Sequence, residues 1–230
     1  MKLTPDCTEV LKNFSTINQS ILLTPKKVLG TVAESKNVLA QAKIGEKFDK
    51  EFGIYNLNEF LATLGLFNDP SFELTDTHLS IKDDVKGSRS SCKYYFADTS
   101  MIPEMPSTEK IEKVIKGAEI KFDLSEEDFA LILKATGTFQ SKNIIVESDG
   151  KKINLTATDI ENSSANSYSI VVGEGIGKKF KMIFKTQNLS VLLKGSYQVK
   201  ISKLKISEFK NTSKDLVYWI ALEDSSTYSE

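Results

Sequence analysis

The chain has 230 residues, of which 40% are hydrophobic and 27% charged, and its 30 basic and 31 acidic side chains leave a net charge of -1. This composition is typical of a globular protein and excludes a disordered chain or a polybasic, histone-like nucleic-acid binder. All but one of the basic residues are lysine, and since arginine is the usual bidentate reader of base edges, we do not expect recognition of DNA sequence.

Two amphipathic segments in the first half have helical spacing. The first runs from about Pro5 to Thr16, with apolar residues at i, i+3, i+4 and i+7 and proline in its first turn. The second, Asn56–Leu64, has Glu59 at the capping-box position and Gly65 as its stop.

Two more helices are predicted in the second half. One begins at Ser125, with Asp128 at the capping-box position, and ends near Gly137. The other covers Thr186–Lys194 and stops at Gly195. Because helices this short are marginal alone, we expect all four to pack on a sheet.

Alternating or β-branched runs predict strands, about seven or eight in each half. The clearest runs are Cys92–Phe96, Ile144–Val146, Ile153–Ala157, Ser167–Val172, Phe180–Phe184, Tyr197–Ile201 and Leu216–Leu222. The glycine-rich segment Gly173–Gly177 is predicted to be a hairpin turn. It is not a phosphate-binding loop, because Lys179 stands where that motif needs Ser or Thr and a strand follows in place of a helix.

The order of elements repeats after about half the chain. Val10-Leu11-Lys12 and Ile132-Leu133-Lys134 lie 122 positions apart, so we infer two copies of one supersecondary plan. The predicted domains are 1–110, including a connector at about 97–110, and 111–230. The fold class is α+β, with two similar sheet-rich domains that each carry two short helices.

The strongest family signal comes from three stretches that keep their register along the chain: Leu11–Asn18, Ile54–Leu61 and Val217–Thr227. They resemble the sliding clamps of T4-like bacteriophages, the processivity factors of replicative DNA polymerases. The connector and the segment Gly173–Gly177 match that family least. The resemblance implies the DNA-clamp fold and a homotrimeric ring, closed edge to edge, whose helices line a hole for duplex DNA. It also implies a polymerase partner, a clamp loader ATPase and the cytoplasm of the infected host cell.

On that resemblance, lysines on the polar helix faces hold DNA phosphates loosely enough to slide. The predicted DNA-facing residues are Lys12, Lys134, Lys142 and Lys194, although each also fits an ordinary solvated lysine. Glu126 and Glu127 complicate this interpretation, because they place negative charge on a helix that should face DNA.

A second predicted surface lies on the connector, where clamps dock short peptides of their partners. Met101, Ile102 and Met105 are the candidate residues, since methionine adapts to varied partners. The alternative is that these side chains pin the connector to the sheet below.

Other functions are less well supported by the residues. His78, predicted on a surface loop, has no catalytic partner, and Cys7 and Cys92 lack metal-ligand spacing and suit reduced cytosolic thiols. We therefore expect no enzyme, no cofactor and no metal, and without a long apolar run we expect no membrane partner. The alternative is a two-domain β-rich structural protein of a virion that assembles by edge pairing and does not bind DNA. A clamp, unlike that protein, must gather its helix lysines on one wall.

Overall fold

The computed structural model describes residues 1–229 of the chain. Contacts divide the protein into two compact units, Met1–Met105 and a second that begins at Pro106. The proposed domain boundary at residue 110 stays a prediction.

The first unit is built from two helices and seven antiparallel strands within the described residues. In chain order these are α1 (Pro5–Phe14), β1 (Ile21–Leu23), β2 (Val28–Val32), β3 (Val38–Lys43), β4 (Phe52–Ile54), α2 (Leu57–Leu64), β5 (Pro70–Leu74), β6 (His78–Asp83) and β7 (Ser91–Tyr95). β1 pairs with β4, β2 pairs with β3, and β5, β6 and β7 form a three-stranded sheet in that order. A 3₁₀ turn at Thr99–Met101 follows β7.

The second unit has three helices and nine strands within the described residues. They are α3 (Glu109–Lys116), β8 (Ile120–Leu124), α4 (Glu126–Phe139), β9 (Asn143–Asp149), β10 (Lys152–Thr158), β11 (Tyr168–Glu174), β12 (Lys179–Lys185), α5 (Thr186–Leu189), β13 (Tyr197–Ser202), β14 (Ile206–Asn211), β15 (Leu216–Ala221) and β16 (Thr227–Tyr228). One sheet has the order β11-β10-β9-β12-β16. In the other, β8, β13, β14 and β15 are successive antiparallel neighbours.

The two units repeat one topology. β1 pairs with β4 as β9 pairs with β12, and β2 pairs with β3 as β10 pairs with β11. The meander β5-β6-β7 corresponds to β13-β14-β15, and α1 and α2 correspond to α4 and α5. The predicted α+β fold with two similar sheet-rich parts is confirmed.

Side-chain caps fix where three of the helices begin. Thr4 Oγ1 accepts a hydrogen bond from the Cys7 amide at 3.2 Å, and Ser125 Oγ accepts one from the Asp128 amide at 3.0 Å. The Asn56 side chain, likewise, accepts one from the third residue of α2 at 3.1 Å. Each bond satisfies an amide that has no partner inside its helix, so these starts follow from local sequence.

Helix ends agree less well with the prediction. α4 runs past Gly137 to Phe139 and ends at Gln140, which has a left-handed φ of 52°. Gly137 lies inside the helix and is exposed, so it neither caps α4 nor interrupts it.

The fourth predicted helix is wrong over residues 190–194, because α5 ends at Leu189. The Leu193 amide donates to the Tyr218 hydroxyl at 3.2 Å, and the Tyr197 hydroxyl donates to the Leu193 carbonyl. These tyrosines occupy the backbone groups that a continuing helix would use, and Gly195 then turns the chain with a φ of 145°.

A helix that the sequence analysis did not predict, α3, gives the second unit three helices where two were expected. Its first turn is held by the Thr108 hydroxyl, which donates to Glu112 Oε1 at 2.6 Å. Ile115 is buried, and Gly117 follows the last turn.

The hairpin predicted at Gly173–Gly177 is also wrong. β11 and β12 do not pair with each other, because β10 and β9 lie between them in the sheet. The connection crosses the ends of those two strands, where the Gly175 amide donates to the Lys151 carbonyl at 2.7 Å and the Gly177 amide to the Gly150 carbonyl at 3.0 Å. A Cβ at position 175 would collide with the Gly150 carbonyl, so the crossing requires glycine there.

Candidate nucleic-acid interface

Lys12 and Lys134 occupy equivalent places on α1 and α4. On α1, Val10, Leu11 and Phe14 are buried, which leaves Lys12 on the exposed face in the last turn. Lys134 is exposed on α4 on the face away from its buried residues. Neither ammonium group forms an ion pair with any residue that the structure describes. The structure therefore places both side chains in solvent, free to meet an anion.

Both helices are acidic at their N-terminal ends. Asp6 lies in the first turn of α1, and Glu126, Glu127 and Asp128 lie in the first turn of α4. The helix dipole favours negative charge there. At a rise of 1.5 Å per residue, Lys134 is about 12 Å along the axis from Glu126. Positive charge is thus confined to the C-terminal half of each helix, and the helix faces are not uniformly basic.

Lys142 lies beyond the end of α4 and is already engaged. Its Nζ is 3.0 Å from Glu161 Oε2 and 3.3 Å from Asp159 Oδ2. The hydrogen bonds that the ammonium group of Lys142 donates to Glu161 and, with a smaller effect, to Asp159 raise its pKa above the ordinary value. An anion that binds Lys142 must compete with these two carboxylates.

Lys194 is exposed, but it follows a turn and is not on a helix. Lys185, which was not predicted from the sequence, directly precedes α5, and its Nζ lies 3.7 Å from Glu223 Oε1. Its position in an alternating strand pattern gave no indication of a site.

The three connector candidates have different environments. Ile102 is buried, and its Cδ1 occupies the space that a Cβ on Gly53 would need. Met105 is half-buried, and its side chain occupies the space that a Cβ on Gly30 would need. These two side chains therefore pin the connector to the first unit. Met101 is 68% exposed, so it alone of the three is open to a partner.

Met101 borders a cavity of about 740 Å³ within the first unit. The cavity lies at the end of α1, and its lining includes Ile17, Glu34, Tyr55 and Pro103. Tyr55 is 65% exposed. Tyr55 could not be predicted as part of this surface, because it lies outside the connector in sequence.

The residues tested as catalytic candidates do not form a reactive site. Burial, with a smaller contribution from Glu46, raises the pKa of the Cys7 thiol to about 12, which disfavours the nucleophilic thiolate. His78 is not on a loop as predicted but begins β6, with Nδ1 2.9 Å from Thr75 Oγ1. Across residues 1–229 there is no group of three or more His, Cys, Asp and Glu residues that could hold a metal ion. No helix in that range is long and apolar enough to cross a membrane.

Family models match both units of the chain. Residues 5–103 match the model described as DNA polymerase processivity factor, and residues 121–224 match the C-terminal model of the gp45 sliding clamp. The chain belongs to the sliding-clamp family. Its function is that of a DNA polymerase processivity factor in phage DNA replication, and the virion-protein alternative is not favoured.

Relatives in this family match over their full length. The sliding clamps of Vibrio phage KVP40, Escherichia phage RB69 and Enterobacteria phage T4 are each 30% identical to this chain. The alignments cover 97–99% of this chain and 99% of each relative.

Solved structures of distant clamps share the fold. PCNA from Thermococcus kodakaraensis superposes with a TM-score of 0.68 at 12% identity, over 95% of this chain and 96% of that chain. The Helicobacter pylori β clamp bound to a DNA ligase peptide also gives a TM-score of 0.68, at 14% identity, over 96% of this chain and 64% of that chain. The predicted DNA-clamp fold is confirmed.

Proposed function

We propose that three copies of this clamp close into a ring that encircles duplex DNA and tethers the replicative polymerase. The observation that carries the proposal is a pair of open sheet edges. Among the described strands longer than two residues, only β7 and β11 have no buried residue, and each ends its sheet. Tyr95 on β7 is 65% exposed, and Val171 on β11 is 54% exposed.

The positions of these edges favour ring closure. β7 belongs to the first unit and β11 to the second, so pairing β7 of one copy with β11 of the next is a head-to-tail contact that can close by rotation. Closure would cover two edges that otherwise invite aggregation. The count of three is the assembly that the resemblance to T4-like clamps implies.

Retention on DNA of different topology tests the ring directly. Clamps loaded onto nicked circular DNA should remain bound after removal of the loader, whereas clamps on linear DNA of equal length should be lost from the ends. Bound protein is measured by gel filtration at moderate salt. Cutting the loaded circle with a restriction enzyme is the internal control and should release the clamp. Equal lifetimes on circular, cut and linear DNA would contradict topological binding.

The proposed DNA contacts are lysines with different availability. Lys12 and Lys134 are the main contacts, since each is exposed on a helix and lies in no ion pair among the described residues. Lys194 is a further exposed contact, and Lys142 is restrained by its two carboxylates. Phosphate attraction of this kind is independent of sequence and permits sliding.

The cavity beside Met101 is the proposed docking site for a partner peptide, such as the C-terminal segment of the polymerase. Tyr55 and Met101 together offer an exposed aromatic and a flexible thioether at a concave surface, the combination that favours binding hot spots. Ile102 and Met105 support the site by holding the connector and do not contact the peptide.

Replacing both exposed side chains should weaken peptide binding. We expect the Kd of a polymerase C-terminal peptide for Tyr55→Ala/Met101→Ala to rise by at least about tenfold, because a truncated hot-spot residue costs roughly 2 kcal/mol. Fluorescence anisotropy of the labelled peptide gives the Kd. Leu66→Ala is the matched control, since Leu66 is 78% exposed and lies outside the cavity. Equal binding to both variants would remove the docking proposal.

The remaining partners follow from the same proposal. A clamp loader ATPase opens the ring, and the clamp itself catalyses no reaction and uses no cofactor. The phage origin of the 30%-identical relatives supports action in the cytoplasm of the infected host cell.

A further inference from the structure

Met101 supplies the flexible side chain of the proposed docking site, and it closes the 3₁₀ turn at Thr99–Met101. The residue borders the cavity of the first unit, and its side chain is 68% exposed. A side chain that is this exposed is not fixed by packing. Its place beside the cavity therefore depends on the backbone that carries it.

The side chain of Asp98 holds that backbone. Asp98 directly precedes the turn, and its Oδ1 accepts hydrogen bonds from the Ser100 amide at 2.9 Å and from Ser100 Oγ at 2.7 Å. Its carbonyl accepts a third hydrogen bond, from the Met101 amide at 3.1 Å. Aspartate side chains commonly fix a turn by bonding the backbone two residues further on. The side chain and the carbonyl of Asp98 thus both act on the residues that end the turn.

The acceptor in two of these bonds is a charged carboxylate. The hydrogen bonds that Asp98 accepts from the Ser100 hydroxyl and, with a smaller effect, from the Ser100 amide lower the pKa of its carboxyl group below the ordinary value. At neutral pH the carboxylate is therefore charged, and hydrogen bonds to a charged acceptor are stronger than those between neutral groups. Asp98 is thus suited to holding a turn that is exposed to water.

The turn lies between two attachments of the connector to β4. Before the turn, the Ala97 amide donates to the Gly53 carbonyl at 2.9 Å. After the turn, the buried Ile102 side chain occupies the space that a Cβ on Gly53 would need. Residues 98–101, between these two points, are all exposed. Asp98 supplies the side-chain hydrogen bonds that hold this exposed stretch.

Tyr55, the other exposed side chain of the docking site, directly follows β4. It lies two residues from Gly53 and is therefore close in sequence to the strand that holds the connector. Met101 depends in addition on the turn. The turn thus decides whether the two side chains meet a peptide together.

We propose that Asp98 is a positioning residue for peptide docking, which holds Met101 in its place beside Tyr55 before the peptide binds. This inference rests on the proposed docking site. Asp98 is not among the residues that line the cavity, so it acts through Met101. Binding to a surface that is already ordered loses less conformational entropy. Loss of the Asp98 carboxylate should therefore weaken docking although no contact with the peptide is removed.

Replacing Asp98 should weaken binding of the polymerase C-terminal peptide. For Asp98→Ala we expect the Kd to rise by about three- to tenfold, the range that loss of a capping side chain produces. Asp98→Asn keeps an oxygen that can accept both hydrogen bonds, so this variant should retain most of the affinity. Asp49→Ala is the matched control, since it removes the same charge from an exposed position outside the cavity. Fluorescence anisotropy of the labelled peptide at neutral pH gives each Kd.

A double-mutant cycle tests whether Asp98 acts through Met101. In the Met101→Ala background, Asp98→Ala should change the Kd by no more than about twofold, because the side chain that it positions is absent. A general loss of stability would instead weaken binding by the same factor in both backgrounds. That result would overturn the positioning role.

The remaining outcomes separate this inference from the docking site itself. Unchanged binding by Met101→Ala would contradict the docking site and, with it, this inference. A loss with Met101→Ala but none with Asp98→Ala would overturn the positioning role alone, as would an Asp98→Asn variant that binds as weakly as Asp98→Ala. An equal loss with Asp49→Ala would reduce the effect to net charge and overturn the proposal as well. Circular dichroism confirms that each variant is folded.

Discussion

Placing a lysine on each open sheet edge should convert the proposed trimer into monomers of 25.6 kDa. In Tyr95→Lys/Val171→Lys, each proposed joint loses two apolar side chains and gains two positive charges at strands that must approach closely. Burial of such a side chain contributes about 1.5–3 kcal/mol, and an unpaired buried charge opposes association further. The combined loss of at least about 5 kcal/mol per joint corresponds to more than a thousandfold in Kd.

Sedimentation or light scattering measures the mass, and primed-circle synthesis measures the loss of processivity that should accompany it. Both replaced side chains are more than half exposed, so the single chain should keep its fold and melting temperature. Leu66→Lys/Leu204→Lys is the matched control, because these leucines are 78% and 67% exposed and lie outside the strands. A double-lysine edge variant that remains trimeric would show that β7 and β11 do not form the joint.

Features determined by neighbouring residues could be predicted from the sequence. The helix starts depend on contacts across three residues, such as Thr4 with Cys7 and Ser125 with Asp128. The exposed positions of Lys12 and Lys134 follow from the 3.6-residue period and from the 122-residue repeat. α3 could also have been found, since Thr108, Glu112 and the following apolar residues are local signals, but the predicted connector ran to about residue 110 and no helix was predicted directly after it.

Features set by distant residues could not be predicted. α5 ends early because Tyr218, 25 residues away, takes the Leu193 amide. The crossing at Gly175 depends on the order of four strands, which a glycine-rich segment alone does not reveal.

The same limit applies to the candidate site. The ion pairs of Lys142 come from Asp159 and Glu161, which lie beyond the β9–β10 hairpin. Ile102 and Met105 are covered because two glycines on distant strands leave room for them. Sequence periodicity therefore located the lysines but could not rank their availability, which depends on tertiary neighbours.

In the structure Lys12 and Lys134 are the most available of the predicted lysines. The second large expected effect is therefore a loss of DNA retention when the charges of Lys12 and Lys134 are reversed. In the proposed trimer, two lysine contacts in each copy would meet six phosphates, and removing these contacts should reduce the slope of log K against log salt by about 5. Affinity near physiological salt should fall on the order of a thousandfold. The glutamate at position 12 also places negative charge in the last turn of α1, which costs about 0.3–1 kcal/mol of stability. Lys12→Gln/Lys134→Gln avoids that cost and should still lose most of the binding.

The matched control is Lys113→Glu/Lys116→Glu, which reverses two exposed lysines in the last turn of α3 and carries a dipole cost at least as large. Loading onto nicked circular DNA and loss from the same DNA after it is cut, each followed at several salt concentrations with the trimer verified by mass, distinguish the two pairs. The Lys12/Lys134 variant should still form trimers, and an intact ring should still enclose the uncut circle. Compared with the control, it should load poorly and leave cut DNA faster. Equal loading and salt dependence for both pairs would mean that α1 and α4 do not face DNA, whatever the state of the ring.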